Sequence, residues 1–505
     1  MHPGRIAAVC SNRTWTAAPA RRWAKSPAAC PRNSASHAPR CRTCWQHWRS
    51  LSMSVPERGN SIPFLPWLLY NGLALPTMLL GAQVGRLVDE KIRTGFRERQ
   101  RVRERFELHR SRLQGCVWFH ASSAGEYEQA RPILRALRER TGQKVPTLAT
   151  VFSPSGFARA SAHPEADVVD YLPFDTLPGM ERLIGLLKPR AIVFVKYDCW
   201  PNLVWTARRR NVPTLLLGAS LHQASQRAKG IARPFFRSVY GSLNAVGTIA
   251  ESDARRFREQ LGLDASRVRV TGDSRVDQIV RRHEEAGTSE LLTAFADAPW
   301  RYLVLGSTWP RDEETFLRPA ADALHTHGEL GLIIAPHEPT PAALERLEAA
   351  LSARGLAAVR MSQLLEPRTL KRRTTAAARN PASWRVILVD SIGQLAALYR
   401  LGLVAFVGGG FTTGVHSVLE PAACGVPVIF GPRHSNAVEA GRLIEAGAGA
   451  CAHDAPEAAA LLARWIDDPQ ALATASNAAA AQVQEQRGAT ERNLELLLSV
   501  AGLDQ

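Results

Sequence analysis

The sequence predicts an α/β protein with two Rossmann-like halves, whose parallel sheets face a central cleft. Short, nearly continuous runs of Val, Ile and Leu alternate with helical patterns, and they form two series along the chain. In the second series an apolar strand ends in three glycines, residues 408–410, ahead of a helical pattern and another apolar run. That order is typical of a βαβ unit. Because ligands bind at the carboxyl ends of strands in such sheets, we expect the loops of both halves to line one cleft.

The first half, residues 114–283, contains seven predicted strands separated by helical patterns. They are expected at residues 116–122, 146–152, 167–174, 191–198, 213–219, 245–250 and 268–272. The second half contains five predicted strands. They are expected at residues 302–307, 331–337, 385–390, 403–409 and 426–431. A link is predicted near residues 284–299, a basic and mobile loop at 370–383, and alanine-rich amphipathic helices at 456–503.

The N-terminal segment, residues 1–52, differs in composition from the rest of the 505-residue chain. It carries nine basic residues and no acidic one, so it accounts for about half of the formal charge of +17. It also lacks any apolar period. We expect this segment to be disordered and Met53 to be the natural start, with a transit peptide as the alternative. The pair Cys41 and Cys44 has no second pair nearby, so no zinc site is expected. Four further cysteines, in apolar or turn contexts, are expected to be reduced.

An uncharged stretch of 23 residues, 62–84, is long enough to cross a bilayer. Three prolines and the pair Asn71–Gly72 make it an imperfect span. The basic stretch 91–112 follows, and a hydrophobic segment followed by arginines predicts that the next domain is cytoplasmic. Arginines beside a membrane also favour anionic lipids. We therefore expect membrane attachment, either spanning or interfacial. A core helix of a soluble domain is the alternative.

The block 404–432 is a candidate nucleotide site. Glycine lets the backbone approach a ligand, and a helix N-terminus offers unpaired N–H groups to a phosphate. Pro421 is tolerated only near the start of a helix, so the helix is expected over residues 417–424, with Ser417 as N-cap and Glu420 in the first turn. A carboxylate there can accept both hydroxyls of a ribose. An ordinary βα turn with a capping acid is the alternative.

Eight loop sequences occur in an order that resembles one enzyme family. They are residues 120–126 (HASSAGE), 171–175 (YLPFD), 200–202 (WPN), 271–275 (TGDSR), 306–308 (GST), 335–337 (APH), 390–393 (DSIG) and the glycine-rich block. The set resembles the 3-deoxy-D-manno-octulosonic acid (Kdo) transferases of lipopolysaccharide synthesis, from about residue 60 to the end. The resemblance implies a GT-B fold with an N-terminal membrane anchor. It also implies inverting, metal-independent transfer from CMP-Kdo to a lipid A precursor, on the cytoplasmic side of the inner membrane.

The resemblance also implies roles for individual residues. Glu126 matches the catalytic carboxylate, and Asp198 takes the place of a second acid. Inverting transfer needs a base for the acceptor hydroxyl and positive groups or N–H dipoles for the departing phosphate. From the residues alone, a helix N-terminal acid is the favoured interpretation of Glu126. Contacts to the donor nucleotide are expected from a further set of residues. These are Arg275, Ser307, Thr308, His337, Ile392, Gly393, Gly409, Gly410, Ser417 and Glu420.

Structural alternatives stay open for some of these, because His337 could cap a helix and Arg275 could pair with Asp273 or Asp277. The chain also departs from the family pattern at four positions. Many members carry Glu-Thr-Glu where this chain has residues 196–198 (KYD), so Lys196 replaces a carboxylate. The other departures are Ser417 for Asn, Pro336 for Arg and Trp309 for His.

The expected organisation has four parts. They are an extension at 1–52, an apolar anchor with its basic flank at 53–112, an acceptor domain at 113–285 and a donor domain at 286–505. A rival interpretation is a UDP-sugar-dependent GT-B enzyme, either a membrane glycosyltransferase or a 2-epimerase. Another is a basic protein that binds lipid or nucleic acid. Basic residues cluster near the apolar stretch rather than along a groove, so no nucleic-acid partner is expected. The number of Kdo units added, the exact acceptor and the oligomeric state do not follow from the sequence.

Overall fold

Each half of the chain forms a parallel sheet, as predicted, and each sheet has seven strands. The computed structural model describes residues 63–221, 225–286, 290–295, 298–365, 383–435 and 437–503. All of them belong to one unit, Asn60–Gln505. The predicted extension 1–52, the start at Met53 and nearly all of the basic loop 370–383 lie outside the described residues.

The first sheet contains the seven strands that the sequence predicts. They are β1 (Val117–Ala121), β2 (Thr147–Val151), β3 (Val168–Tyr171), β4 (Ala191–Val195), β5 (Thr214–Ala219), β6 (Ala245–Thr248) and β7 (Val268–Val270). Their order across the sheet is β3-β2-β1-β4-β5-β6-β7, and all neighbours are parallel. β1 and β4 therefore lie side by side at the centre, so the loops after them are neighbours.

The second sheet contains the five predicted strands and two more. They are β8 (Arg301–Thr308), β9 (Leu330–Pro336), β10 (Val359–Arg360), β11 (Val386–Leu388), β12 (Gly402–Val407), β13 (Val428–Phe430) and β14 (Gly449–Cys451). Their order is β10-β11-β9-β8-β12-β13-β14. The two unpredicted strands, β10 and β14, are the edges of the sheet. They are too short for an apolar run to reveal them.

Helices cover both faces of each sheet and supply the N-terminal region. They are α1 (Phe64–Val88), α2 (Glu90–Gln100), α3 (Val102–Leu108), α4 (Arg110–Leu113), α5 (Ala124–Arg140), α6 (Pro154–Ala162), α7 (Leu177–Leu187), α8 (Pro201–Arg209), α9 (Arg233–Tyr240), α10 (Glu251–Arg255), α11 (Ser274–Ala286), α12 (Glu290–Ala294), α13 (Pro310–Thr326), α14 (Pro341–Ser352), α15 (Met361–Leu365), α16 (Leu395–Leu398), α17 (Leu419–Ala423), α18 (Val438–Glu445), α19 (Ala455–Ile466), α20 (Pro469–Gln486) and α21 (Ala489–Ala501). The predicted C-terminal helices are thus α19, α20 and α21.

The last helix, α21, returns to the first half of the chain. Its Leu494 and Leu497 lie in the same buried cluster as Val117 of β1 and Leu215 of β5. Asn493 accepts a hydrogen bond from the Thr271 hydroxyl at 2.8 Å, just after β7. The C-terminal segment therefore ties the two halves together across the cleft.

The apolar helix α1 is long and apolar enough to cross a membrane, by length and composition alone. A π-helical turn, Tyr70–Ala74, interrupts it and turns two polar groups toward the first domain. The Tyr70 hydroxyl donates to Asp175 at 2.9 Å, and the Asn71 and Asn202 side-chain amides exchange hydrogen bonds of 3.0 and 2.8 Å. The interruption at Asn71 therefore serves to dock the helix.

Most of the other apolar side chains of α1 are exposed to solvent. They include Phe64, Leu65, Leu73, Leu80, Val84 and Leu87, each at least 63% exposed. A helix docked along one side and apolar on the other presents a continuous apolar face, which is a feature of membrane or protein contact surfaces.

Two arginines of the stretch 91–112 bind to the first domain. Arg99 is surrounded by Phe152, Tyr171 and Phe174, and its guanidinium donates to the Leu172 carbonyl at 3.0 Å. Arg105 forms a bidentate ion pair with buried Asp170. These two side chains fasten α2 and α3 to the first sheet, because a guanidinium fork matches both a carboxylate and clustered carbonyls. Other arginines of the stretch are exposed. They are Arg93, Arg97, Arg101, Arg103, Arg110 and Arg112.

Candidate active site between the two sheets

Glu126 lies at the carboxyl edge of the first sheet, in the first turn of α5. Ser123 is the N-cap of this helix, and its hydroxyl accepts a hydrogen bond from the Glu126 N–H at 3.4 Å. The Glu126 carboxylate accepts from the N–H of Ser122, which precedes the helix, and its place in the first turn agrees with the interpretation as a helix N-terminal acid. Only 3% of Glu126 is exposed. Burial first, and then the charge of Asp198, raise the pKa of its carboxyl to about 7. A carboxyl with that pKa can take a proton near neutral pH.

His120 helps to hold the turn that precedes Glu126, but its imidazole is unsuited to act as the base. Its imidazole Nε2 accepts from the Trp200 indole at 2.9 Å, and its Nδ1 lies 3.0 Å from the Thr150 hydroxyl. Burial, and the charge of Arg99, lower the pKa of His120 to about 3. The ring is therefore neutral at physiological pH, and it holds the loop that carries Ser122.

Asp198 follows β4, beside the turn that carries Glu126. Its carboxylate pairs with the Arg227 guanidinium at 2.8 Å, and Arg227 lies over the Tyr197 ring at 4.5 Å. Asp198 lies near enough to Glu126 for its charge to act on that carboxyl. Asp198 is also paired with a cation from the loop after β5.

Lys196, also after β4, lies between two acids. It is partly buried, and its backbone is left-handed, with φ of 69°. Its charge acts to lower the pKa values of both Glu126 and Asp273. Sequence reasoning identified Lys196 as a departure from the family pattern, but it assigned the residue no role.

Arg275 forms an ion pair with Asp273, which is one of the two partners that the sequence analysis considered for it. Its guanidinium bonds to Asp273 at 2.5–3.1 Å and approaches Glu439 of α18 at 3.4 Å. Asp273 and Glu439 together raise the pKa of the Arg275 guanidinium. Asp277 instead accepts from backbone N–H groups at the start of α21, both at 2.6 Å. Arg275 therefore joins the two halves of the molecule, and a phosphate would have to compete with two carboxylates for it.

On the second sheet, three aromatic rings stack at the ends of β8, β9 and β12. The His337 ring stacks on Trp309 (ring centroids 4.6 Å apart) and on His416 (4.4 Å), and the Trp309 indole donates to His416 at 3.0 Å. Burial and the charge of His337 lower the pKa of His416 to about 4. His337 itself is exposed, and α14 is capped by Thr340 instead. Sequence reasoning missed His416, because a lone histidine in a turn gives no signal of its distant partners.

Ser307 and Thr308 precede this cluster. Ser307 has a left-handed backbone, with φ of 53°, and is partly buried. Thr308 is 2% exposed, and its hydroxyl donates to Glu313 at 3.0 Å. The Thr308 side chain is therefore engaged within the protein, whereas Ser307 is more exposed than Thr308.

The glycine-rich turn is closed by protein rather than open to a ligand. A Cβ on Gly408 would come 2.2 Å from the Ser307 carbonyl, and one on Gly410 would come 2.5 Å from the Gly431 nitrogen. Gly409 has φ of 91°, and its N–H donates to the buried Asp312 carboxylate at 2.8 Å. These glycines therefore permit close packing between backbone segments. The prediction that Gly409 and Gly410 contact the donor nucleotide stays a prediction.

The helix after the turn is shorter than predicted, and the N-cap prediction is wrong. Helix α17 spans Leu419–Ala423 with Val418 at the N-cap, and Ser417 is exposed without capping it. Glu420 does lie in the first turn, as predicted. Burial raises the pKa of its carboxyl, against the opposing charge of Arg282. Glu420 forms no hydrogen bond or ion pair with the residues that the structure describes, so its oxygens are free to accept from a ligand.

Ile392 and Gly393 occupy the loop after β11. Ile392 is 85% exposed, and Gly393 has φ of 94° with open space around its Cα. An exposed branched side chain beside a glycine suits packing against a flat ring. Within the described ranges no group of three or more His, Cys, Asp or Glu side chains could hold a metal ion.

Comparison with known proteins relates this chain to one family. The profile of the 3-deoxy-D-manno-octulosonic-acid transferase (kdotransferase) family matches residues 100–278. A 3-deoxy-D-manno-octulosonic acid transferase of Bordetella pertussis is 29% identical over 398 residues, which are 76% of this chain and 87% of that protein. The enzyme of the same name from Haemophilus influenzae is 28% identical and covers 79% of this chain and 91% of its own length.

Among solved structures, a UDP-GlcNAc 2-epimerase from Neisseria meningitidis is similar in fold. Its TM-score is 0.54 at 12% sequence identity, over 76% of this chain and 99% of the epimerase. Identity this low shows the fold alone. The architecture is therefore of the GT-B type, two Rossmann-like domains around a cleft.

Proposed function

Since the chain belongs to the 3-deoxy-D-manno-octulosonic acid transferase family, we propose that it transfers Kdo from CMP-Kdo to a lipid A precursor in lipopolysaccharide synthesis. The observation that carries the proposal is the buried Glu126, whose carboxyl has a pKa of about 7 and lies within residues 100–278, which match the family. A base of this kind can deprotonate an acceptor hydroxyl while the sugar–phosphate bond breaks on the other side of the anomeric carbon.

We assign the donor nucleotide to the carboxyl edge of the second sheet. Glu420, which has no partner in the described part of the chain, would accept the ribose hydroxyls. Ile392 would pack against the cytosine, and His337 and Ser307 would contact the phosphate. Charge-assisted hydrogen bonds to an otherwise unpaired carboxylate are among the stronger polar contacts. The remaining predicted donor residues, such as Arg275 and Thr308, would act by holding the loops in place.

We propose that transfer needs no metal, as the family resemblance implies. Positive groups and N–H dipoles of the protein would then stabilise the leaving CMP. Activity in the presence of excess EDTA should equal activity without it. Loss of activity that Mg²⁺ restores would contradict this part of the proposal.

The enzyme is proposed to act at the cytoplasmic face of the inner membrane, with α1 lying in the interface. Two features support this placement, the exposed apolar face of α1 and the exposed arginines that follow it. The docking of Tyr70 and Asn71 onto the catalytic domain favours an interfacial helix over a spanning one. A spanning helix would place Asp175 and Asn202 in hydrocarbon, where buried polar groups are costly.

The decisive experiment is incubation of the purified protein with CMP-Kdo and a lipid A precursor, followed by mass analysis of the lipid. We expect a mass increase of one or more Kdo units. Titration with CMP and UDP runs beside it, and CMP should bind more tightly. Preference for UDP together with no Kdo transfer would overturn the proposal in favour of a UDP-sugar enzyme of the same fold.

Membrane attachment is tested by sedimentation with vesicles that contain anionic phospholipid. Leu73→Glu and Leu80→Glu place charges on the apolar face, and both side chains are more than 60% exposed. These variants should lose most vesicle binding and retain CMP binding. The control Glu139→Gln, at an exposed position of α5, should change neither. Full vesicle binding by both charged variants would place the attachment elsewhere.

A further inference from the structure

The backbone of Lys196 has a left-handed conformation, which is unusual for a residue other than glycine. Five non-glycine residues of the described chain have a positive φ. Gln143, Lys188 and Asn211 lie just past the ends of helices, where a left-handed residue commonly terminates the helix. Lys196 instead follows β4 directly, and Ser307 is the last residue but one of β8, so both lie at the carboxyl edges of the two sheets. A left-handed lysine costs free energy, and strain of this kind clusters at functional sites.

The position of Lys196 places it beside the proposed base. In the parallel pair of β1 and β4, His120 lies opposite Phe194, so the chain after β4 runs beside Ser122. Ser122 is the residue whose N–H binds the Glu126 carboxylate. The backbone of Lys196 is fixed on its other side by hydrogen bonds to β5, from its N–H to Leu217 (2.9 Å) and from Ser220 to its carbonyl (3.2 Å).

The Lys196 ammonium lies over the Tyr197 ring, 5.2 Å from its centroid, but it has no counter-ion among the described residues. Its ammonium forms no hydrogen bond or ion pair with the residues that the structure describes, although it acts at longer range on Glu126 and Asp273. The neighbouring cation, Arg227, differs, because Asp198 pairs with it at 2.8 Å. A partly buried ammonium without a counter-ion beside a reaction centre is arranged to bind an anion.

We propose that Lys196 binds an anionic group of a substrate, a carboxylate or a phosphate, beside the hydroxyl that Glu126 deprotonates. This inference rests on the proposed function, in which both substrates are anionic near the reaction centre. Kdo carries its carboxylate on the carbon that reacts. A lipid A precursor carries phosphate. The two sources share the same chemistry, so the experiment has one arm for each.

The central variant is Lys196→Gly, because glycine removes the cation and accepts the left-handed backbone. A purely structural role predicts a less stable variant. Our proposal predicts a variant with an equal or higher Tm whose substrate KM rises about 10- to 100-fold, the effect of losing one charge-assisted hydrogen bond. Lys196→Arg should recover most of the loss. Lys188→Gly is the matched control, a left-handed and exposed lysine before β4, at the opposite edge of the sheet.

Kinetics are measured with CMP-Kdo and two acceptors, a phosphorylated lipid A precursor and the same lipid after enzymatic dephosphorylation. A rise in the KM for CMP-Kdo with both acceptors, at unchanged affinity for free CMP, identifies the Kdo carboxylate. A rise in the acceptor KM with the phosphorylated lipid alone identifies the phosphate. If neither KM changes more than about threefold, or if Lys196→Arg behaves like Lys196→Gly, the inference is wrong. Absence of any Kdo transfer by the parent protein would overturn the proposed function instead.

Discussion

Both sheets are parallel, but the polar groups at their carboxyl edges differ in whether they have partners within the protein. At the first edge, Glu126 is buried with a raised pKa, and Lys196 has no direct counter-ion among the described residues. At the second edge, the glycine-rich turn is closed, with the Gly409 N–H bound to Asp312 and Gly410 packed on Gly431. Glu420, at the same edge, has no hydrogen-bond or ion-pair partner among the described residues.

The polar groups of the two edges therefore affect the free energy of the fold in different ways. Polar groups held without their best partners raise the energy of the fold and are available to substrate, whereas satisfied groups and close backbone packing stabilise the loops around them. A sequence motif alone does not distinguish the two cases. In this protein the most recognisable motif, the run of three glycines, belongs to the second kind.

The sharpest test of the first edge is Glu126→Gln. This variant keeps the shape of the side chain and removes its basicity, so transfer should fall at least about a hundredfold while CMP affinity stays unchanged. In the parent, kcat/KM should rise with pH to a plateau above the pKa of about 7, because only the ionised carboxylate accepts a proton. Glu139→Gln, on the exposed last turn of the same helix, is the control. Near-normal turnover in Glu126→Gln would move the base to another residue, with Asp198 next.

The same variant tests whether Glu126 costs stability. Its pKa is raised from 4.5 to about 7 in the folded protein, so folding favours the protonated form. The contribution of this group to stability is therefore present at low pH and lost as the pH rises through about 7. Glu126→Gln should unfold at higher urea concentration than the parent at about pH 8, with a gain of up to about 3 kcal/mol, and the gain should shrink at about pH 5. A variant less stable than the parent at both pH values would contradict the comparison.

At the second edge, Gly410→Ala tests the closed turn. The new Cβ would meet the Gly431 backbone at 2.5 Å, where neither segment can move freely. We expect a loss of about 1–3 kcal/mol in the free energy of unfolding, as for other overpacked sites. Gly441→Ala in α18, where nothing lies within 4 Å, should leave stability unchanged or slightly higher. If Gly410→Ala weakens CMP binding without loss of stability, the turn contacts the donor after all.

Glu420→Ala tests the partnerless carboxylate of the second edge. CMP affinity should fall by about 1–3 kcal/mol, the usual cost of a charge-assisted hydrogen bond. Thermal stability should not fall, because the side chain makes no hydrogen bond with the described residues. Calorimetric titration with CMP measures the change, and Glu445→Ala at the exposed end of α18 is its control. Unchanged affinity would remove Glu420 from the donor site.

Asp198→Asn should have the smallest effect of the series. The carboxylate is about one-third exposed and already paired with Arg227, and such pairs contribute roughly 0.2–1 kcal/mol. We expect transfer to fall less than about tenfold, measured in the same assay as Glu126→Gln. A loss as large as that expected for Glu126→Gln would make Asp198 an equal partner in the chemistry.

Much of the architecture could be predicted because the responsible signals are local. Apolar runs and helical periods located twelve of the fourteen strands and the C-terminal helices. The family resemblance pointed to Glu126, its place in the first turn of a helix was the interpretation from the residues alone, and the position of Pro421 located Glu420 near the start of its helix. The edge strands β10 and β14 escaped, because two or three residues cannot show a period. The N-cap at Ser417 was wrong, because the turn before α17 extends one residue further.

The sequence by itself determined the order of elements, the family resemblance and which residue types stand at the strand ends. Only the tertiary structure decided which of those groups are free. Arg275 is held by Glu439, Gly409 by Asp312, and Asp198 by Arg227. Tyr70 meets Asp175 across 105 residues of sequence. Periodicity and capping act within a few residues, but burial, pairing and pKa depend on contacts between distant segments, so they appear only once the chain has folded.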